Sequence, residues 1–486
     1  MQRQFVVNFA LLLGLSLLVK PFYVFGIEAE VQNRVGAETF GNYFALISFS
    51  FLLNILLDLG MANYNARRVA QLDQNRPLGF GPMLGLRLTL MALYLVGLLA
   101  SGALLSYTPE QLTVLALLGC NQALAALVLF LRSNLGGLHL FRQDSIISVL
   151  DRLVLIAVCS LLLWGGVTDR PFQVEWLVYA QTLSYALAAV VALAMLGKHV
   201  RPVRLKFDRA YARNLLRQSA PFALLIFLMS VYLRTDSVML ERLHPEGPEQ
   251  AGIYAMAFRF FEAGNMLAYL FAILLLPMFS RMLHRSQPVY PVLEQAFRLL
   301  YPGAVLAAVM CVYYRQEFMD WRYLEHTQEA AGVFGWLMAG FAGFAMNYLF
   351  GSLLTAGGRL KALNLLAAAA VVGNIVANAL LIPTYGAWGA AVASCATHGL
   401  MAVGQIALAV RMYDWRPGAG LAAKAVAFAG LCITAGWAST ILPGPWLLKC
   451  GALLLAGGAV AFSLGYLRPS RLIALVKSSR KETSQA

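Results

Sequence analysis

The sequence predicts an all-α polytopic membrane protein with about fourteen transmembrane helices, and three observations predict it. Of 486 residues, 60% are hydrophobic and only 12% are charged, whereas a soluble domain carries about 25% charged residues. The apolar residues fall into runs of about 20, the length that crosses a bilayer. Their approximate cores are 5–26, 41–63, 83–106, 111–134, 145–166, 174–197, 219–241, 251–277, 296–314, 331–350, 362–382, 386–410, 420–442 and 445–467. The charges between the runs are sorted by side. With the N-terminus placed in the cytoplasm, 23 of the 37 Lys and Arg residues lie in inner loops and termini and five in outer loops. Cytoplasmic loops carry such an excess. Outer loops collect acids instead, beginning with Glu28, Glu30 and Glu38.

Taken in order, the first run has no small-residue cleavage site and leads into Lys20-Pro21, so it reads as a retained span. Proline removes a backbone hydrogen bond and can bend the helix. A bend beside a cation suits a cavity wall or a hinge; the competing reading is that Lys20 snorkels to the surface. The second span closes in Leu57-Asp58-Leu59-Gly60. Asp58 reads as a helix-end residue near the inner surface, with an ion site as the alternative. Arg87, Arg132, Asp151, Arg152 and Arg298 lie near span ends and read as interfacial anchors. The breaks Tyr107-Thr108-Pro109-Glu110, Asp169-Arg170-Pro171, Pro383-Thr384-Tyr385-Gly386 and Pro443-Gly444-Pro445 are turn chemistry.

The longest inner loop, Lys198 to Arg217, holds seven basic residues and one acid, Asp208, and reads as an amphipathic connector on the anionic inner leaflet. It divides the chain into an N-terminal six-helix bundle at 1–197, the connector at 198–218, a second six-helix bundle at 219–410, two further spans at 411–467 and a basic cytoplasmic tail at 468–486. The net charge of +14 is accounted for by this topology rather than by nucleic-acid binding.

The second half opens on the most informative stretch, Ser219 to Pro277. Two apolar runs flank a short polar turn, and each holds charge: Arg234 and Asp236 in the first, Arg259 and Glu262 in the second. A charge near the bilayer centre costs roughly 2.5–3.5 kcal/mol on insertion scales, so four of them call for a reason. Arg259 and Glu262 are three apart and can pair on a helix, whereas Arg234 and Asp236 are two apart and do not face each other. One reading is a set of structural ion pairs between helices. The other is a cationic patch for an anionic ligand: a guanidinium fork suits phosphate oxygens and stays charged at any working pH, with the carboxylates balancing charge or coupling to an ion. There is also an internal echo. Gly36-Ala37-Glu38-Thr39-Phe40-Gly41-Asn42-Tyr43 and Gly247-Pro248-Glu249-Gln250-Ala251-Gly252-Ile253-Tyr254 both fit GxExxGxY, at matching places in two hairpins. Both hairpins run from inside to outside, as in a parallel repeat about an axis along the membrane normal.

Enzyme signals are weak. No P-loop, GxSxG or HExxH occurs, and no loop is long enough for a soluble catalytic domain. The six cysteines lie in apolar runs without ligand spacing, so neither a disulfide framework nor a metal site is expected. No cofactor is called for.

The ordered set Lys20-Pro21, the two GxExxGxY stretches, Leu57-Asp58-Leu59-Gly60, Arg67-Arg68-Val69-Ala70-Gln71, Ser219-Ala220-Pro221-Phe222, Arg234-Thr235-Asp236, Ala356-Gly357-Gly358, Asn364 and Pro383 to Ala391 resembles the multidrug/oligosaccharidyl-lipid/polysaccharide exporter superfamily. Within it the chain looks most like the Wzx-type polysaccharide flippases. The resemblance implies two helical bundles in a V around a central cation-lined cavity, alternating access, and a polyprenyl-diphosphate-linked oligosaccharide moved to the outer leaflet of the plasma membrane for surface polysaccharide. It further implies that Lys20, Arg234 and Arg259 hold the diphosphate, that Asp236, Glu262 and Asp58 balance charge or couple to H+ or Na+, and that polysaccharide polymerase machinery is a partner. Related lipid II flippases carry more charge in the first span than Lys20 alone. The alternative is an ion-coupled drug or small-solute exporter of the same superfamily, although three cations suit cationic drugs poorly.

Overall fold

The computed structural model describes residues 19, 21–59, 80–138, 140–197, 209–413 and 418–466. Lys20, most of the first expected span, most of the basic connector and the C-terminal tail lie outside them. Among the described residues there is no β-strand, and eleven helical stretches are long and apolar enough to cross a membrane. The chain is an all-α, multi-pass membrane protein. Side chains such as Val96, Leu380, Leu400 and Leu455 stand more than half exposed, the surface that lipid covers.

In chain order the helices are α1 (Ala29–Val35), continuing a π-helical Phe22–Glu28, then α2 (Ala37–Leu52), α3 (Ile55–Asp58), α4 (Phe80–Leu104), α5 (Pro109–Gly137), α6 (Phe141–Trp164), α7 (Val174–Gly197) and α8 (Arg209–Leu243). They continue with α9 (Gly247–His284), α10 (Tyr290–Tyr313), α11 (Arg315–Arg322), α12 (Thr327–Ala339), α13 (Phe341–Ala356), α14 (Leu360–Tyr413), α15 (Ala419–Ile441) and α16 (Trp446–Ser463).

Three features depart from the expected spans. The first hairpin is helical where a loop was expected, up to the break at Gly36 with φ 82°. The second span is interrupted: α2 ends at Leu52, a turn holds Leu53 and Asn54, and α3 closes at Asp58 with Leu59 left-handed at φ 45°. The expected spans at 362–382 and 386–410 form one helical stretch, α14, folded at Gly386 with φ 53°. Side-chain preferences decide other boundaries. Before α5 the Thr108 hydroxyl accepts from the Gln111 amide, and the Gln111 side chain accepts from the Thr108 amide at 3.1 Å, a capping box with Pro109 at the first helical position.

The helices divide into two compact units. The first comprises Met1–Arg259, Arg322–His326 and Ala367–Ala390. In it α5 packs on α4 and α7, α6 on α7, and α2 on both α5 and α8. Leu131, Leu135, Ile147, Ala188 and Ala192 form a closely packed apolar core there. The second unit comprises Phe260–Trp321, Thr327–Leu366 and Ala391–Ala486, with α10 at its centre against α12, α13, α15 and α16. Gly340 and Gly343 bring α13 and its lead-in within backbone range of Cys395 and His398, the small-residue contact that membrane helices use in place of a hydrophobic drive. The His398 imidazole stacks on Phe261 at 5.3 Å.

Candidate functional site

The first unit is held at its centre by the two echoing stretches. A Cβ on Gly41 would stand 1.7 Å from the Pro248 carbonyl oxygen, and one on Gly252 would stand 2.0 Å from that of Ala37. The contact is reciprocal: each motif presents its glycine to the other's backbone. The Gln32 side chain donates to the Gly252 carbonyl at 2.8 Å, closing the same seam. The motif tyrosines also take matching roles. Tyr43 accepts from Gln181 at 2.8 Å, and Tyr254 donates to Asp236 at 2.7 Å. Two residues before Gly252, the second motif also holds the fold of α14, where Gln250 accepts from the Ala387 amide at 2.8 Å.

This seam brings Arg234 and Arg259 to one aromatic cluster. Arg234, half-buried on α8, lies 4.6 Å from the Phe51 ring and 5.4 Å from the Phe258 ring. Arg259, buried on α9, lies 5.2 Å from Phe44 and 5.9 Å from Phe40. Phe44 and Phe258 touch at 5.8 Å, so one guanidinium group lies by each ring of a single pair. Such faces attract cations by about 0.5–2 kcal/mol, more where water is excluded, and the weakly hydrated guanidinium suits them.

The counter-charges were only partly foreseen. Arg259 lies 3.0 Å from Glu28 Oε2, a carboxylate that the sequence places in an outer loop. Glu28 is instead buried at the end of the π-helical segment and accepts from the Tyr23 hydroxyl at 2.8 Å. Gln181 reaches Tyr23 as well as Tyr43, and the Arg152 guanidinium lies 4.9 Å from the Tyr23 ring. Arg152 thus belongs to this interior network rather than to an interfacial anchor. A π-helical turn widens the helix by one residue and is frequent at functional sites. It follows Pro21, but nothing else in the sequence announces it.

Asp236 is buried on α8 and accepts at both oxygens: from Tyr254, and from Asn378 at 2.6 Å. Asn378 also donates to Asn374, one turn back, at 3.1 Å. Sequence reasoning overlooked both asparagines, which break an otherwise Ala- and Val-rich helical face at i, i+4 spacing. Glu262 is half-buried on α9 and belongs to the second unit.

Asp58 stands apart from this cluster. Its Oδ1 accepts from Arg87 Nη1 at 2.8 Å. Arg87 has no exposed surface and also donates through Nη2 to the Ala126 carbonyl, so it is a buried structural cation and not a snorkelling anchor. Arg322, one of the five cations that the sequence assigns to outer loops, closes α11 and donates to the carbonyls of Phe25 and Gly26, with Glu30 at 3.6 Å. It fastens the π-helical turn from outside. Among the described residues no group of three or more His, Cys, Asp or Glu side chains could hold a metal ion.

Three solved structures share this fold. One described as "Lipid II flippase MurJ, inward closed conformation" has a TM-score of 0.67 at 12% identity, covering 97% of this chain and 99% of that one. One described as an inward-facing multidrug resistance MATE family transporter of the MOP superfamily has a TM-score of 0.64 at 13% identity, covering 81% and 94%. A third, a MOP superfamily transporter from Pyrococcus furiosus whose title reports a reversed polarity of the binding pocket, has a TM-score of 0.57 at 13% identity, covering 84% and 95%. No curated protein matches the chain by sequence. A family model described as "Polysaccharide biosynthesis protein" matches residues 10–283, which takes in α1 to α8 and nearly all of α9, with both echoing motifs, Arg234, Asp236 and Arg259. Over more than half its length, and with a fold shared with transporters of the multidrug/oligosaccharidyl-lipid/polysaccharide exporter superfamily, the chain belongs to the polysaccharide biosynthesis protein family.

Proposed function

We propose that the protein is a flippase that carries a polyprenyl-diphosphate-linked oligosaccharide from the cytoplasmic to the outer leaflet of the plasma membrane for surface polysaccharide. The observation that carries this reading is the pair of guanidinium groups, Arg234 and Arg259, on one aromatic cluster within membrane helices of a polysaccharide biosynthesis family member. A diphosphate is the anionic part of such a lipid, and guanidinium forks bind its oxygens in a bidentate way. Lys20 would complete the set from the first span.

Catalysis of bond cleavage has no place in this scheme. The work is exchange of partners: Glu28 occupies Arg259 in the state described, and an arriving diphosphate competes for the same guanidinium. Asp236, held by Tyr254 and Asn378, balances the neighbouring cations or takes up H+ or Na+ as the carrier returns. Glu262 is a further counter-charge, and Asp58 balances Arg87. Both termini are cytoplasmic, by the charge asymmetry of the loops. Polymerase machinery on the outer face would consume the delivered glycan.

The test is surface polysaccharide in cells whose own copy is replaced. Compared at equal amounts of protein in the membrane, Arg234→Ala and Arg259→Ala should each abolish it, and Arg259→Lys should restore part of it. Unchanged polysaccharide in both alanine variants would sink the assignment. Drug sensitivity on deletion with surface glycan intact would favour the exporter reading, which the similarity to a MATE transporter supports.

A further inference from the structure

We infer that the first unit carries a second polar site, a pocket for one hydroxyl-rich group, built on the buried Arg87–Asp58 pair. A cavity of about 230 Å³ lies where the interrupted second span meets α4, α5 and α8. Its polar wall is Asn54, Asp58, Arg87, Gln122 and Ser230. Ile55, Leu129 and Ile226 supply apolar wall, and the last two are nearly half exposed at 47% and 46%. The broken helix explains the lining: the turn after Leu52 and the short α3 aim Asn54 and Asp58 at one space.

Charge and donor count select the occupant. Arg87 Nη1 holds the Asp58 carboxylate at 2.8 Å, and only the carboxylate, 28% exposed, shows surface. A diphosphate would meet that carboxylate, and among the described residues no group of three or more His, Cys, Asp or Glu side chains could hold a metal ion. What remains is a neutral mixture of donors and acceptors from two amides and a hydroxyl, which suits ligand hydroxyls because each of those donates and accepts. A second observation points the same way: the Arg87 guanidinium has no exposed surface, whereas the Asp58 side chain it holds is 28% exposed, so the pair shows the space a fixed carboxylate that accepts from ligand hydroxyls.

Size narrows the choice further. At about 30 Å³ per water in the liquid, the space is on the order of seven or eight waters, the scale of one sugar ring or one glycerol unit. Two sources supply that chemistry: a sugar of the carried oligosaccharide, or the headgroup of a membrane lipid. The sugar source rests on the proposed function; the hydroxyl chemistry does not.

The experiment uses the full chain in detergent with the two accessible thiols removed, Cys120→Ser and Cys395→Ser, and one reporter, Leu129→Cys, at the pocket mouth. The rate of maleimide labelling is read with glucose, galactose, N-acetylglucosamine and rhamnose, with glycerol, and with pyrophosphate. At least one sugar is expected to slow labelling several-fold while pyrophosphate does not. The effect should vanish in Gln122→Leu and, should that variant aggregate, in Ser230→Ala. Slowing by glycerol as strong as by any sugar keeps the hydroxyl pocket and assigns it to a lipid headgroup. No slowing by any polyol, or equal slowing of a reporter at Val96→Cys on an exposed lipid-facing turn, overturns the proposal. Neither result depends on Arg234 or Arg259, so loss of the diphosphate reading and loss of this one are told apart.

Discussion

At the scale of the residue, the informative feature is which carboxylate answers which arginine. Helix spacing makes Glu262 a plausible partner for Arg259, and the structure sets Glu28 beside it at 3.0 Å. A local rule of three and four residues sees only the pairs within one helix, so a partner from 231 positions away is invisible to it. The consequence is energetic. Removing one member of a buried pair leaves the other charge uncompensated, at a cost of about 3–5 kcal/mol, while replacing both by apolar groups costs far less. Glu28→Ala and Arg259→Ala are therefore expected to lower the thermal midpoint of the purified protein sharply, and Glu28→Met/Arg259→Met to lower it less than either. A double variant as unstable as the two losses added would show that the pair is not the unit of charge balance. Asp236 calls for a different substitution. Asp236→Asn keeps shape and can still accept from Asn378, so it should fold and elute normally. Surface polysaccharide should nonetheless fall steeply, because the charge facing Tyr254 and Asn378 is gone. Normal polysaccharide in that variant would remove Asp236 from the mechanism.

At the scale of the element, the two GxExxGxY stretches turn out to be halves of one contact. Their similarity was legible in the sequence, as was their place in matching hairpins. That they meet was not, because a glycine records only that space is wanted and not what fills it. The space is filled by backbone: Pro248 oxygen beneath Gly41 and Ala37 oxygen beneath Gly252. Neither can move aside as a flexible side chain would, so an added methyl must part the helices. Overpacking of this kind costs about 1–3 kcal/mol, and Gly41→Ala or Gly252→Ala is expected to lower the thermal midpoint and the yield of folded protein. Gly97 is the control. It lies inside α4 with nothing within 4 Å of an added Cβ, and alanine there gains about 0.8–1.0 kcal/mol of helix propensity. Gly97→Ala should be neutral or stabilising. If all three variants behave alike, the reciprocal contact is not what positions the hairpins. Other elements escaped the sequence for a related reason. The π-helical turn and the break at Leu53–Asn54 leave hydropathy unchanged, since both lie within apolar runs whose period is blurred by burial on several sides.

At the scale of the molecule, hydropathy and loop chemistry were enough for an all-α membrane protein, because a bilayer leaves the backbone few ways to cross it. They place spans well and pair them poorly: nothing in an apolar run says which neighbour it meets, and buried polar residues such as Asn374, Asn378 and Gln181 reveal their partners only in three dimensions. Orientation is different, because it is written in the loops. Moving Lys and Arg across is disfavoured on the cytoplasmic side of most membranes, and the 23-to-5 division of loop cations leaves little freedom. The even number of spans expected from the sequence would return both termini to the cytoplasm. In a Cys120→Ser background, a cysteine at Asp169, in the exposed loop between α6 and α7, should react with a membrane-impermeant maleimide in intact cells. One at Arg213, exposed near the start of α8, should react only after the membrane is opened. The reverse pattern would invert the molecule and with it the direction of transport. Labelling of both sites in intact cells would instead require an odd number of spans between 169 and 213 to be abandoned. Among the described residues that stretch holds α7 alone as a crossing helix, so the experiment reads the side of each end directly.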